Sequence, residues 1–152
     1  MIENQTRFVQ FLIQAKKNTY ANDGKLSAPS RPSSKDLLFQ QGDYSYIDTY
    51  LGSVDFIGEE AVWHQQEPIW AMNYYGTMLT VEVPEGFSHC LKGALQNVPV
   101  EAPYRGPAYF RDGPFEYSCN WKGSVDQFEG TEKILQSGTE IYRLIFHGGS
   151  LR

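Results

Sequence analysis

Two stretches of this chain align with each other after a single inserted residue, and no other feature constrains the fold as much. The first, GSVDFIGEEAVWHQQEPIWAMNYYGTML, starts at Gly52; the second, GSVDQFEGTEKILQSGTEIYRLIFHGGSL, starts at Gly123 and carries Gln127 as the insertion. Gly52, Ser53, Val54 and Asp55 match Gly123, Ser124, Val125 and Asp126. Phe56, Gly58 and Glu60 match Phe128, Gly130 and Glu132, while Ile69, Gly76 and Leu79 match Ile141, Gly148 and Leu151. Similar residues fill the gaps: Val62 with Ile134, Trp70 with Tyr142, Met72 with Leu144, Tyr74 with Phe146. Upstream, Tyr44, Tyr46 and Tyr50 match Phe115, Tyr117 and Trp121.

A helix is expected ahead of each stretch. Phe8, Phe11, Leu12 and Ala15 recur at i, i+3, i+4 and i+7, the spacing of one helix face, and Phe87, Cys90, Leu91 and Ala94 repeat it. Pro84, Glu85 and Gly86 set the second helix apart from what precedes it, and Pro99 closes it. The linking segments NTYANDGKLSAPSRPSS and VPVEAPYRGP read as loops. Two copies with so long a period exclude a solenoid. The expectation is one α+β domain over residues 1–152, with internal repeats at about 5–80 and 85–152. The two pseudo-symmetric helix-plus-antiparallel-strands units would form one strongly curved antiparallel sheet, with both helices packed on one face.

Side chains alternate along strands, so each face can be read separately. Tyr44, Tyr46, Asp48 and Tyr50 share a face, and so do Phe115, Tyr117, Cys119 and Trp121, opposite the polar Glu116, Ser118, Asn120 and Lys122. The aromatic face is therefore the inward one, and Asp48 sits in it where the second copy has a cysteine. Glu60 and Glu132 point the same way as Val62 and Ile134, and Trp70, Met72 and Tyr74 point inward with Tyr142, Leu144 and Phe146. Asn73, Tyr75, Arg143 and His147 face the other way.

An inward carboxylate must be paired, hydrogen-bonded or solvated. A structural reading pairs Glu60 with Arg31 and Glu132 with Arg105, as equivalent struts in the two copies. A functional reading starts from Asp48, which breaks the symmetry. Asp48 and Glu60 among Tyr44, Tyr46, Trp63 and Trp70 would line an acidic aromatic pocket suited to a cationic or amine-bearing small molecule. Asn73, Arg105, Glu132 and His147 complete the set of candidate ligand-binding residues, Arg105 as an anion binder held rigid by Pro103, Gly106 and Pro107. Two carboxylates could instead act as general acid and base. His64, His89 and His147 have no metal-ligand spacing, so neither a metal nor a cofactor is expected. No nucleotide-binding glycine motif or nucleophile elbow is present.

Composition narrows the partners. The formal net charge is -5 and no basic cluster exceeds Lys16-Lys17, which argues against a nucleic-acid surface. The 14% aromatic content, with ten tyrosines, suits both a core and a ligand pocket. Two cysteines, Cys90 and Cys119, make no disulfide framework and point to a reducing, cytoplasmic setting. The opening MIENQTRF has neither a basic start nor a long apolar run, so no signal peptide and no membrane span is expected.

The segments QAKKNTYA, SRPSSKDL, QGDYSYIDTYLG, FIGEEAVW, WAMNYYG, PYRGP and FHGGS resemble the pattern of DUF5680, a bacterial domain of unknown function. The resemblance covers nearly the whole chain, and Arg31, Asp48, Glu60, Asn73, Arg105 and His147 all lie within it. It implies no reaction. Members of that family occur alone or C-terminal to a helix-turn-helix, where sensing an effector is the natural role; this chain would be a stand-alone version. The leading expectation is thus a small-molecule-binding or sensor domain, linked through the family to transcriptional regulation. An enzyme of hydrolytic or transfer type using Asp48 or Glu60 is the second. A pocketless protein-interaction domain, with a homodimer as one form, is the third.

Overall fold

The computed structural model describes residues 2–22 and 24–152. Helix α1 (Gln5–Asn18) begins where the Asn4 side chain accepts a hydrogen bond from the Arg7 amide at 3.2 Å, covering one of the free N–H groups of the first turn. It ends with Lys16 and Lys17 in its last turn. Helix α2 (Phe87–Gln96) starts from Gly86, whose φ of 88° is one that glycine reaches without strain, and stops at Gln96, ahead of Pro99. The stripe that the spacing marks is buried in α1, at Phe8, Phe11, Leu12 and Ala15, and mostly in α2, where Phe87, Cys90 and Ala94 are buried and Leu91 is half-buried.

The remaining elements are strands: β1 (Leu26–Ser27), β2 (Lys35–Gln41), β3 (Tyr44–Gly52), β4 (Phe56–His64), β5 (Glu67–Met78), β6 (Tyr109–Asp112), β7 (Phe115–Ser124), β8 (Gln127–Gln136) and β9 (Thr139–Ser150). Among the described residues they form one nine-stranded sheet in the order β1-β2-β3-β4-β5-β9-β8-β7-β6, with every neighbouring pair antiparallel. The segment read as the first loop is more ordered than expected. It holds a 3-10 turn at Tyr20–Asn22 and the short β1, whose Leu26 pairs with Leu37 of β2.

Hairpins link successive strands on each side, and among the described residues β5–β9 is the strand pair that joins the two sides of the sheet. There Tyr74 pairs with Phe146, Met72 with Gly148, and Gly76 with Leu144. Met72 matches Leu144 in the sequence alignment and Gly76 matches Gly148, so exchanging the two strands leaves the register unchanged. The β3–β4 and β7–β8 turns also match: Gly52 and Gly123 have φ of 91° and 96°, and a Cβ on either would run into the backbone of the turn it opens.

One sheet face carries Tyr46, Met72, Tyr74, Tyr117, Leu144 and Phe146, all buried. Helix α1 lies on it through Phe8 against Trp70 and Phe11 against Tyr44, with ring centroids 5.8 and 5.0 Å apart, and α2 through Phe87 against Tyr142 at 5.1 Å. Ring pairs at such separations add to what burial alone contributes. The opposite face is open, with Ile57, Tyr75 and Ile145 exposed side by side across β4, β5 and β9.

Gly58 tightens the centre of the inner face. It pairs with Tyr74 across β4 and β5, and a Cβ there would meet the Tyr74 ring and hydroxyl and lie 2.7 Å from Tyr50 Cβ. Gly58→Ala is expected to displace Tyr74 and cost about 1–3 kcal/mol, as overpacking a filled core does. A urea titration checks this, and a midpoint equal to wild type would show that the Tyr74 ring moves aside freely.

Candidate functional site

Two carboxylates lie fully buried on the inner face, each at 0% exposure: Glu60 on β4 and Glu132 on β8. Burial alone would make either charge prohibitively costly, so their partners decide what they do. Glu132 is fully served. Arg105 donates from Nε to Oε2 at 3.0 Å and from Nη2 to Oε1 at 2.8 Å, Tyr117 donates to Oε2 at 2.6 Å, and Tyr142 donates to Oε1 at 2.8 Å. Burial works against the Arg105 charge, but Glu132, Tyr142 and Tyr20 together hold the guanidinium well above its ordinary range.

Glu60 is served differently, and the expected Arg31 strut is not its partner. The Arg31 side chain donates instead to Thr49 Oγ1 at 3.2 Å in an exposed position, and its backbone N–H is tied to Ser34. Ser34 and Thr49 both donate to Asp36, so this loop is anchored to β2 and β3, away from Glu60. The cation beside Glu60 is Lys16 of α1, which donates to Oε1 at 2.6 Å, while Tyr46 donates to the same oxygen at 2.5 Å. Lys16 also donates to the Tyr104 carbonyl at 2.8 Å, and burial pushes its ammonium down further than Glu60 raises it. Lys16 falls four residues after Leu12 on the apolar stripe; a lysine in that stripe is the sequence signal for it. Trp70 stands where the other half has Tyr142, and its N–H goes to the Val125 carbonyl at 3.1 Å. Glu60 Oε2 is accordingly left with no hydrogen-bond partner among the described residues.

Asp48 is the third inward carboxylate. It is 2% exposed, sits opposite Glu60 in the β3–β4 register, and accepts a hydrogen bond from the Tyr74 hydroxyl at 2.6 Å. Burial, then the Glu60 charge, push its carboxyl up to about 7, against the pull of Tyr74, Lys16 and Arg105. Burial, then the neighbouring Asp48, push the Tyr74 phenol well above its usual range. At the matching positions of the other half, Cys119 and Phe146 form no such pair, and burial pushes the Cys119 thiol up to about 12.

Asp48 and Tyr74 face a cavity of about 550 Å³ between the sheet and α2. Tyr50 and Phe56 form its aromatic wall, and Leu91 and Leu95 cover it from α2. Tyr20 and Arg105 close one side, where the guanidinium carbon lies 5.5 Å from the centre of the Tyr20 ring and 5.6 Å from that of Tyr74. Lys35, from β2, reaches the cavity with its ammonium 5.6 Å from the centre of the Tyr50 ring.

The candidate residues are thus divided. Asp48 and Arg105 line the cavity; Glu60, Tyr46 and Glu132 lie in the hydrogen-bonded cluster behind it. Tyr44 stacks between Phe11 and His64, and Trp70 packs between Phe8 and Phe128, so both are in the core beyond the cavity. Trp63 is half-buried and pairs near a bulge with Ser45 and Pro68, off the inner face. Asn73 and His147 are exposed and pair with each other on the open face; His147 borders a shallow depression with Trp121 and Glu129. Tyr20 and Tyr50 were absent from the expected set, as were Lys35, Phe56 and Tyr74. Tyr74 carried a signal, an inward hydroxyl that needs a partner, whereas Tyr20 comes from a loop with no periodicity to place it.

Among the described residues no three His, Cys, Asp or Glu side chains gather as a metal site, and no helix is long and apolar enough to cross a membrane. No curated protein and no solved structure matches the chain. The family model described as a domain of unknown function, DUF5680, matches residues 48–151, which hold Asp48, Glu60, Tyr74, Arg105 and Glu132. The chain belongs to the DUF5680 family.

Proposed function

We propose that this domain binds a small molecule in the cavity under α2, with Asp48 receiving a cationic or amine group of the ligand. The observation that carries this reading is the difference between the halves: a buried ionisable pair, Asp48–Tyr74, stands at a cavity where the other half has Cys119 and Phe146. A duplicated scaffold would account for the matching registers, the paired glycine turns and the shared Tyr–Glu bonds. The Asp48 pair is what such a scaffold does not require. Tyr20, Tyr50 and Tyr74 hold Arg105 and Lys35 against their rings and leave the carboxylate as the group that attracts the ligand's charge. A sensor role in transcriptional regulation is the extension that the family resemblance suggests.

Thermal-shift screening of amines tests the proposal. At pH 8 an amine that binds raises the wild-type melting temperature, and Asp48→Asn removes most of that rise. Hits that act equally on both proteins would place the ligand elsewhere. A carboxyl that titrates near neutral pH at a cavity wall also suits a general acid or base. That second reading requires turnover of a bound compound that Asp48→Asn abolishes while binding of an uncharged analogue persists.

A further inference from the structure

The cavity that holds Asp48 also holds positive charge, which narrows the ligand beyond a simple amine. Three basic side chains line it: Lys35, Lys92 and Arg105. Arg105 is matched by Glu132. Lys35 has no carboxylate within ion-pair distance among the described residues, and its ammonium lies over the Tyr50 ring. A monocation entering this space would gain from Asp48 and lose against Lys35.

The register fixes how these two charges are spaced. Lys35 pairs with Tyr50, and Leu37 pairs with Asp48 on the adjoining strand. Lys35 and Asp48 are therefore diagonal neighbours on one face, with backbones about 7–8 Å apart. Asp48 is buried at the wall and Lys35 is exposed, so one end of the cavity offers a dry anion and the other a wetter cation. The Tyr50 ring lies under the Lys35 ammonium, and Phe56, Leu91 and Leu95 complete the apolar lining.

Resting on the ligand-binding reading above, we propose that the site takes a compact zwitterion of the amino-acid type. Its ammonium meets Asp48 and its carboxylate turns to Lys35. An aromatic or branched side chain packs between Tyr50, Phe56 and α2. Each charge of such a molecule finds its complement, and no uncompensated charge enters the cavity.

The test is a titration series with the twenty proteinogenic amino acids, together with the decarboxylated amine and the deaminated acid of each aromatic and branched member. It is run by thermal shift and calorimetry on wild type, Lys35→Gln and Asp48→Asn. An aromatic or branched amino acid is expected to bind wild type about tenfold more tightly than its amine, the loss typical of one charge-assisted contact. Lys35→Gln should erase that advantage, weakening the amino acid and, by removing the repulsion, tightening the amine, while Asp48→Asn weakens both. If the amine binds as tightly as the amino acid and Lys35→Gln changes neither, the zwitterion assignment is wrong and the amine-binding site stands. If nothing in the series binds wild type, or Asp48→Asn leaves every affinity intact, the site itself is wrong. Lys35 is exposed, so its variant is expected to fold as wild type does.

Discussion

Arg105→Met is expected to destabilise the domain by about 3–5 kcal/mol, the cost of leaving a buried carboxylate without its counter-charge. Glu132 has 0% exposure and receives two of its four hydrogen bonds from this one guanidinium. Tyr117 and Tyr142 would remain as donors, but neither carries charge. Methionine fills similar volume between Tyr20 and Tyr74, so the loss would come from electrostatics rather than from a cavity. The double variant Arg105→Met with Glu132→Gln separates the two causes. Glutamine is neutral and can still accept from one tyrosine while donating to the other. It is expected to recover most of the loss in urea denaturation at pH 7. A double variant as unstable as the single one would mean that Arg105 acts through packing.

That experiment bears on how the two halves differ. Tyr46 and Tyr117 donate to Glu60 and Glu132 in matching fashion. The cations do not match, since Lys16 comes from α1 and Arg105 from the loop after α2. Glu132 collects a fourth bond from Tyr142, whereas Trp70 at that place leaves Glu60 Oε2 without one. The first half thus holds the less satisfied cluster, and it is the half that borders the cavity through Asp48.

Much of the architecture was legible because β-strand alternation and helix periodicity act locally. The inward row Tyr44, Tyr46, Asp48 is buried as its alternation requires, and both helices lie where their apolar spacing marks them. The pairing Arg105–Glu132 was legible as charge compensation. Arg31–Glu60 was not, although the same logic suggested it. Sequence equivalence says nothing about loop anchoring, and the Ser34–Asp36–Thr49 network holds Arg31 against Thr49, on the face of β3 opposite Asp48. Trp63 is a different miss, because it follows the inward Val62 and pairs with Ser45 in an unbroken β3–β4 register, so alternation alone turns it to the other face. The cavity wall was least legible. Tyr20 and Lys35 reach it from a turn and from a strand on the outer side of the sheet order, so only the assembled topology brings them to Asp48.

Asp48→Asn is expected to stabilise the free domain at pH 8 and to do so less as the pH falls. In the unfolded chain this carboxyl titrates near 3.8, and in the fold it is pushed up to about 7, first by burial and then by Glu60. Between those values the unfolded state has released the proton that the folded state still holds, so raising the pH favours unfolding. Stability from the protonated carboxyl is complete below about pH 4 and lost as the pH rises through 7; a gap of about three pH units corresponds to about 4 kcal/mol. Asparagine keeps an oxygen to accept from Tyr74 and carries no charge, so the variant escapes this loss. Melting temperatures across pH 4–8 would show wild type and variant converging at the acid end and separating at the alkaline end. The binding proposal adds a further requirement. An amine that meets the ionised carboxylate offsets the cost of burying it, so a saturating amine should narrow the gap at pH 8 by stabilising wild type alone, and its affinity should rise as the pH passes 7. If instead Asp48→Asn is the less stable protein at pH 8, the carboxylate is an anchor that the fold needs. The asymmetry between Asp48–Tyr74 and Cys119–Phe146 would then mark a difference in packing and not a site.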